Sequence, residues 1–250
     1  MTTLPHERLL VLAVVFTMAL GLSLTLAPSI LPWYGAALAV LACAAVPYLL
    51  HAHPGYSFSP LRLILPAGVA IASPSVAHAL GNGPFRLPGV FGPGALLYGV
   101  VLAEYLLLGQ GRDTSIRAAR LLLTVTACGV ALAVFLLIYE AKERSLISGN
   151  LVAAISGALA LRVVALDAGA GPKTYWSGVI AAVAMAEVLW PLNYWVLGSV
   201  AGGLALFVTF YVLVGVMRQS VAGQLGQTEL LEYGTVSLAG LLMVFVASRL

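Results

Sequence analysis

Residues Ile116–Tyr139 read IRAARLLLTVTACGVALAVFLLIY, and from Leu121 to Tyr139 no side chain carries a charge. A bilayer's hydrocarbon core is about 30 Å thick, so a helix rising about 1.5 Å per residue needs about 20 apolar residues to cross it. This stretch meets that length. A transmembrane strand would need only about 10 residues, with alternating polarity, whereas this run is longer and apolar on all faces. It reads as a membrane-spanning helix.

The rest of the chain repeats the pattern. Of its 250 residues 61% are hydrophobic and 8% charged, and the mean hydropathy is +1.03. A soluble domain carries about a quarter of its residues charged. So few charges cannot coat a water-facing surface, which excludes a soluble enzyme, a disordered linker and a nucleic-acid binder. The net charge of +3 is too small to signal a polyanion partner. It is better read as basic residues flanking spans. Cys43 and Cys128 both fall in apolar stretches, so neither a disulfide framework nor a thiolate metal site is expected.

Nine stretches approach spanning length: Leu9–Ala27, Leu31–Leu50, Leu61–Leu80, Pro93–Leu108, Ile116–Tyr139, Leu146–Leu166, Tyr175–Leu192, Val196–Met217 and Tyr233–Ala247. Pro66 interrupts the third, and the fourth and ninth are short. The first follows Arg8 and superficially resembles a signal peptide, but its apolar run exceeds the roughly 7–15 residues of such a segment. It is expected to be retained. Turn chemistry separates the spans, at Ala27–Ser29, His53–Gly55, Gly81–Pro84, Gly109–Asp113 and Gly169–Pro172. No loop is long enough for a soluble domain. The expected fold is all-α: a polytopic transmembrane helical bundle of about nine spans, forming a single transmembrane helical domain over residues 1–250.

Counted from a cytoplasmic N-terminus, one side collects Arg8, Arg62, Arg112, Arg117, Arg120, Arg162, Lys173 and Arg218. The other collects Arg86, Lys142, Arg144 and Arg249, giving eight against four of the 12 Lys and Arg. That bias in short loops places the N-terminus in the cytoplasm and the C-terminus outside the cell membrane.

Ionisable groups inside a bilayer are expensive and are the first candidates for function. Glu104 and Arg162 fall at similar depths, about 6 Å inside the cytoplasmic boundary at about 1.5 Å per residue. They form a candidate intramembrane ion pair, although Arg162 could equally snorkel to the headgroups. Glu187 opens the most distinctive segment, Glu187-Val-Leu-Trp190-Pro-Leu-Asn193-Tyr-Trp195. Here Pro191 is expected to end the seventh span and Asn193 to fill the turn. Glu187, Trp190, Asn193 and Trp195 are thus a candidate polar site; the bland alternative is a hairpin anchored by interfacial aromatics. Gly198-x-x-x-Gly202 with Gly203, and Gly149-x-x-x-Ala153 with Ser156 and Gly157, allow close helix approach.

The pattern Glu187-x-x-Trp190-x-Leu192-Asn193-x-Trp195, with the small-residue-rich span after it, resembles a motif of an uncharacterised family of polytopic bacterial membrane proteins. The resemblance covers mainly the last third of the chain. It implies no activity, so no role carries over to these residues.

Only His78 among the histidines lies within a span, and His51 and His53 flank the second, so no bis-histidine haem is expected. No Lys lies inside a span, and no nucleophile elbow, Walker loop or acidic metal cluster occurs. No cofactor, metal or catalytic residue is expected, and the partners are membrane lipids and other membrane protein subunits. Two functions fit. One is a non-catalytic structural or assembly subunit of a larger membrane complex. The other is a small-molecule or lipid transporter, or a lipid-processing enzyme, acting through Glu187 and Asn193 or through Glu104 and Arg162. Nine spans with this charge bias put a reporter fused after Ser115 in the cytoplasm and one fused after Arg249 outside. Fusions reporting the same side would reveal a miscounted span, with Leu61–Leu80 the first suspect.

Overall fold

The computed structural model describes residues 6–51, 53, 56–80, 85–109, 113–141, 145–195, 197–223 and 226–247. Among these it forms nine α-helices and no strand. They are α1 (His6–Ser23), α2 (Leu31–Leu50), α3 (Ile64–Leu80), α4 (Arg86–Leu108), α5 (Asp113–Ala141), α6 (Ser145–Ala168), α7 (Pro172–Tyr194), α8 (Ser199–Ala222) and α9 (Gln227–Ala247). Short 3-10 turns at Pro28–Ile30 and Pro60–Leu63 lead into α2 and α3. Eight of the helices, α1 to α8, are long and apolar enough to cross a membrane, while the apolar part of α9, Leu231–Val246, is shorter.

The prolines do not end the helices: Pro47, Pro74, Pro93 and Pro191 each lie inside one. Pro66 occupies the first turn of α3, whose N–H groups have no intrahelical acceptor anyway, so the third span is not interrupted. Pro74 lies buried within the same helix, and the neighbouring Ser73 hydroxyl donates to the Val69 carbonyl. Pro93 sits inside α4 rather than at its start. The fourth span therefore begins at Arg86 and reaches full length. The expectation that Pro191 ends the seventh helix is corrected: α7 continues through it to Tyr194. Only three helical residues follow Pro191, so its ring removes one hydrogen bond, a smaller loss in a bilayer than exposing a whole last turn of carbonyls.

The chain divides into two compact units, Met1–Val130 and Ala131–Leu250, with α5 running from one into the other. In the first unit α1 packs on α4, and α3 packs on both α2 and α4. Backbones meet closely at glycines. A Cβ at Gly35 would lie 2.7 Å from the Ile71 carbonyl oxygen, and one at Gly94 would lie 3.2 Å from that of Ala13. In the second unit α6 packs extensively on α7, and α8 contacts α6, α7 and α9. Gly157 and Gly178 face each other, each Cβ position 2.9–3.1 Å from the other's carbonyl oxygen.

Gly202 and Gly203 of the expected small-residue motif receive α5, at Tyr139 and Leu136 respectively. Gly198 and Gly149, the other glycines of the two motifs, have nothing within 4 Å. Tyr139 lies against Gly202 and donates its hydroxyl to the Leu192 carbonyl at 2.8 Å, satisfying an acceptor in the last turn of α7. Phe135, one turn earlier, meets Phe210 edge-on at 5.7 Å between centroids. Gly169 and Gly223, with φ of 74° and 69°, take the left-handed conformation that ends α6 and α8.

A methyl group at residue 202 would stand 2.2 Å from the Tyr139 ring. Gly202→Ala is expected to lower stability by about 1–3 kcal/mol, read as a lower melting midpoint in detergent. Adding Tyr139→Leu should recover part of the loss, and Gly198→Ala should melt like the parent.

Candidate functional site

The segment Glu187–Trp195 lies on the last two turns of α7 and the residue after it. Met185, Leu189 and Leu192 form the buried face of this helix. The opposite face carries Trp176, Ile180, Val183, Trp190 and Tyr194, all exposed, and Glu187 is exposed in the middle of that stripe. Residues three, four and seven apart share one helix face, so Val183, Glu187, Trp190 and Tyr194 line up by construction. Trp190 and Tyr194 meet edge-on, with centroids 6.4 Å apart.

Asn193 does not fold back over Glu187. Six residues further along a continuous helix it points about 120° away, and it too is exposed. Trp195, which ends α7 by donating its N–H to the Leu192 carbonyl at 3.2 Å, is likewise exposed. The four residues therefore form an outward-facing surface rather than an enclosed pocket. Among the described residues Glu187 has no hydrogen-bond or ion-pair partner. Lys142 and Arg144, which the sequence offers as nearby cations, lie outside the described residues.

The other two candidates are enclosed. Glu104 is 1% exposed within the first unit and Arg162 is 5% exposed within the second. Burial shows that Arg162 does not spread its charge into the surrounding lipid. The second unit also holds an ion pair that sequence reasoning missed: Arg218, near the end of α8, donates through Nε to Asp167 Oδ2 at 2.8 Å. The two side chains are about one-third exposed. The signal was available, because an acid and a base close their helices at Asp167 and Arg218.

Sequence reasoning also missed an aromatic and basic cluster in the first unit, on the connection from α2 to α3. His53 stacks edge-on against Tyr105 of α4 at 5.0 Å, beside the buried Glu104. His51 meets Tyr56 edge-on at 5.7 Å, and the Arg62 guanidinium lies 6.0 Å from the same ring's centroid. The signal was two histidines, a tyrosine and an arginine in one short connection, dismissed when weighed only as haem ligands. Among the described residues no three His, Cys, Asp or Glu side chains converge as a metal site requires.

Grooves run between helices within each unit among the described residues. One, of about 730 Å³, runs between α1 and α4 and is lined by Leu10, Val14, Met18, Phe91, Gly94 and Tyr98. Another, of about 520 Å³, runs between α6 and α7 along Ala154, Gly157, Gly178 and Ala182. Both walls are almost wholly apolar and offer little chemistry.

Long apolar helices, close glycine contacts and outward-facing hydrophobic side chains define a multi-pass α-helical membrane protein. The chain belongs to the family described as Protein of unknown function (DUF5656), whose model matches residues 10–247. That match extends well beyond the last third in which the sequence motif lies. No curated protein and no solved structure matches the chain.

Burial separates the two acids. Glu104→Gln, inside the protein, is expected to lower the melting midpoint clearly, since disturbing the bonding of a buried polar group costs on the order of 1–3 kcal/mol. Glu187→Gln, on the surface, should stay within about 0.5 kcal/mol of the parent. Comparable losses in both would contradict the placement of Glu187.

Proposed function

We propose that this protein is a structural or assembly subunit of a larger membrane complex, and that the exposed stripe of α7 is the face that meets its partner. One observation carries this reading. Glu187 stands among Val183, Trp190 and Tyr194 on an outward face, about 10 Å from the end of a helix that rises about 1.5 Å per residue. A carboxylate facing lipid at that depth is costly, and such groups pair with one another or face the interior of a bundle. The partner is accordingly a transmembrane helix of another polypeptide, with a cation or strong hydrogen-bond donor at the depth of Glu187. The flanking Trp and Tyr suit such an interface, because large aromatic side chains dominate the energetics of buried contacts. With α9 as the ninth crossing, the N-terminus lies in the cytoplasm and the C-terminus outside, following the charge bias of the loops.

A second reading, a protein that binds or moves a lipid or small apolar molecule, is favoured by the groove between α1 and α4. Site-specific photocross-linking in native membranes separates the two. A cross-linker at Val183 should capture one other polypeptide at fixed stoichiometry, and Glu187→Gln should cut that capture by at least about tenfold, as expected for losing one well-paired charge. A cross-linker at Val125, exposed on α5, should label lipid in both backgrounds. Capture of lipid alone at Val183, capture of a second copy of this chain, or capture unaffected by Glu187→Gln would each overturn the proposal.

A further inference from the structure

We infer that the connection from α2 to α3 binds the phosphate headgroup of an anionic phospholipid, held by Arg62 with His51, both of which meet the Tyr56 ring, and with Phe58 set into the acyl layer. This does not depend on the subunit reading, because it concerns a different unit and a different ligand. The stretch His51–Leu63 contains two histidines and an arginine (His51, His53 and Arg62) and no Asp or Glu. It joins two membrane-spanning helices, so it sits at a bilayer boundary.

The described residues of the connection bond to one another through the backbone. The Tyr56 N–H donates to the His53 carbonyl at 3.0 Å and the Arg62 N–H to the Ser59 carbonyl at 3.1 Å. Arg62 Nη1 donates to the Ser57 carbonyl at 3.2 Å, and the guanidinium lies over the Tyr56 ring. These two contacts fix the plane of the guanidinium while using one of its five N–H donors. Among the described residues Arg62 forms no ion pair. A planar, oriented guanidinium with open donors matches two oxygens of a phosphate, and loses little rotamer freedom on binding. His51, exposed and edge-on to the same ring, adds an imidazole N–H.

The surroundings decide between a lipid phosphate and a free one. Phe58 is 64% exposed and Tyr48, near the end of α2, is 70% exposed. Aromatic side chains at this level anchor in the interfacial layer, which places the open donors of Arg62 among headgroups and leaves Phe58 against acyl chains. The net charge of the headgroup follows from the missing carboxylate. A zwitterionic lipid brings an ammonium group that no acid in this stretch can meet. Phosphatidylglycerol, whose headgroup is anionic and has no ammonium, brings none. Anionic lipids are abundant in the cytoplasmic leaflet, the side to which the charge bias assigns Arg62.

The test uses the full chain in mild detergent, titrated with phosphatidylglycerol, phosphatidylcholine or inorganic phosphate and read by native mass spectrometry. The parent should bind its first phosphatidylglycerol at least about tenfold more tightly than phosphatidylcholine, as one oriented charge-assisted pair allows. Arg62→Gln should abolish that preference, Arg62→Lys should keep only part of it, and Phe58→Ser should weaken lipid binding. Arg86→Gln, at the start of α4, should behave like the parent. Equal phosphatidylglycerol binding by Arg62→Gln and Arg86→Gln overturns the inference. So does displacement of the lipid by inorganic phosphate at equal concentration, which would mark a free-anion site. If Arg62→Gln does not melt like the parent, His51→Gln and Phe58→Ser carry the comparison, and unchanged phosphatidylglycerol binding in both also overturns it.

Discussion

Helices inside a bilayer gain nothing from hiding apolar side chains from one another, because lipid tails are as apolar as leucine. What holds this protein together is close approach, and close approach needs positions without a Cβ. The Gly35 backbone against Ile71, the facing pair Gly157 and Gly178, and the Gly202–Gly203 step against Tyr139 and Leu136 are such positions. Each brings backbones or rings to a distance at which dispersion contacts accumulate along a whole helix. Tyr139 shows how the constraint also serves polar groups. Because Gly202 lets the ring lie flat, its hydroxyl reaches the Leu192 carbonyl, adding a donor from α5 to an acceptor that also takes the Trp195 N–H.

Charge is distributed by the same economy. Glu104 and Arg162 are enclosed, whereas Asp167 and Arg218 pair near helix ends, where water and headgroups share the load. A partly exposed pair of that kind contributes on the order of 0.2–1 kcal/mol and weakens with salt. Glu187 follows neither pattern. It stands on an outward apolar face without a partner among the described residues, and this departure is what makes α7 the face of interest. The aromatic and basic connection between α2 and α3 is a second departure, since it gathers hydrogen-bond donors and positive charge without an acid.

The sequence by itself determined the class of protein. Long uncharged runs such as Leu121–Tyr139 can be satisfied only by helices in lipid, because every backbone group must be paired within the segment. The number and rough limits of the helices follow from the same lengths, and so does the choice of Glu104, Arg162 and Glu187 as the charges to explain. Tertiary structure decided what proline and charge mean at particular positions. Pro66 and Pro93 read as interruptions or starts, yet one lies in a first turn and the other inside a helix, since a single lost hydrogen bond costs less than ending a helix in hydrocarbon. Glu187 and Asn193 read as neighbours around a turn at Pro191, yet α7 continues and turns them apart. Residue spacing measures depth along a helix, but which face meets protein and which meets lipid is set by neighbouring helices. That is why Glu104 and Arg162 proved buried, Glu187 exposed, and Arg62 gathered with Tyr56 and His51 by a bend that no periodicity encodes.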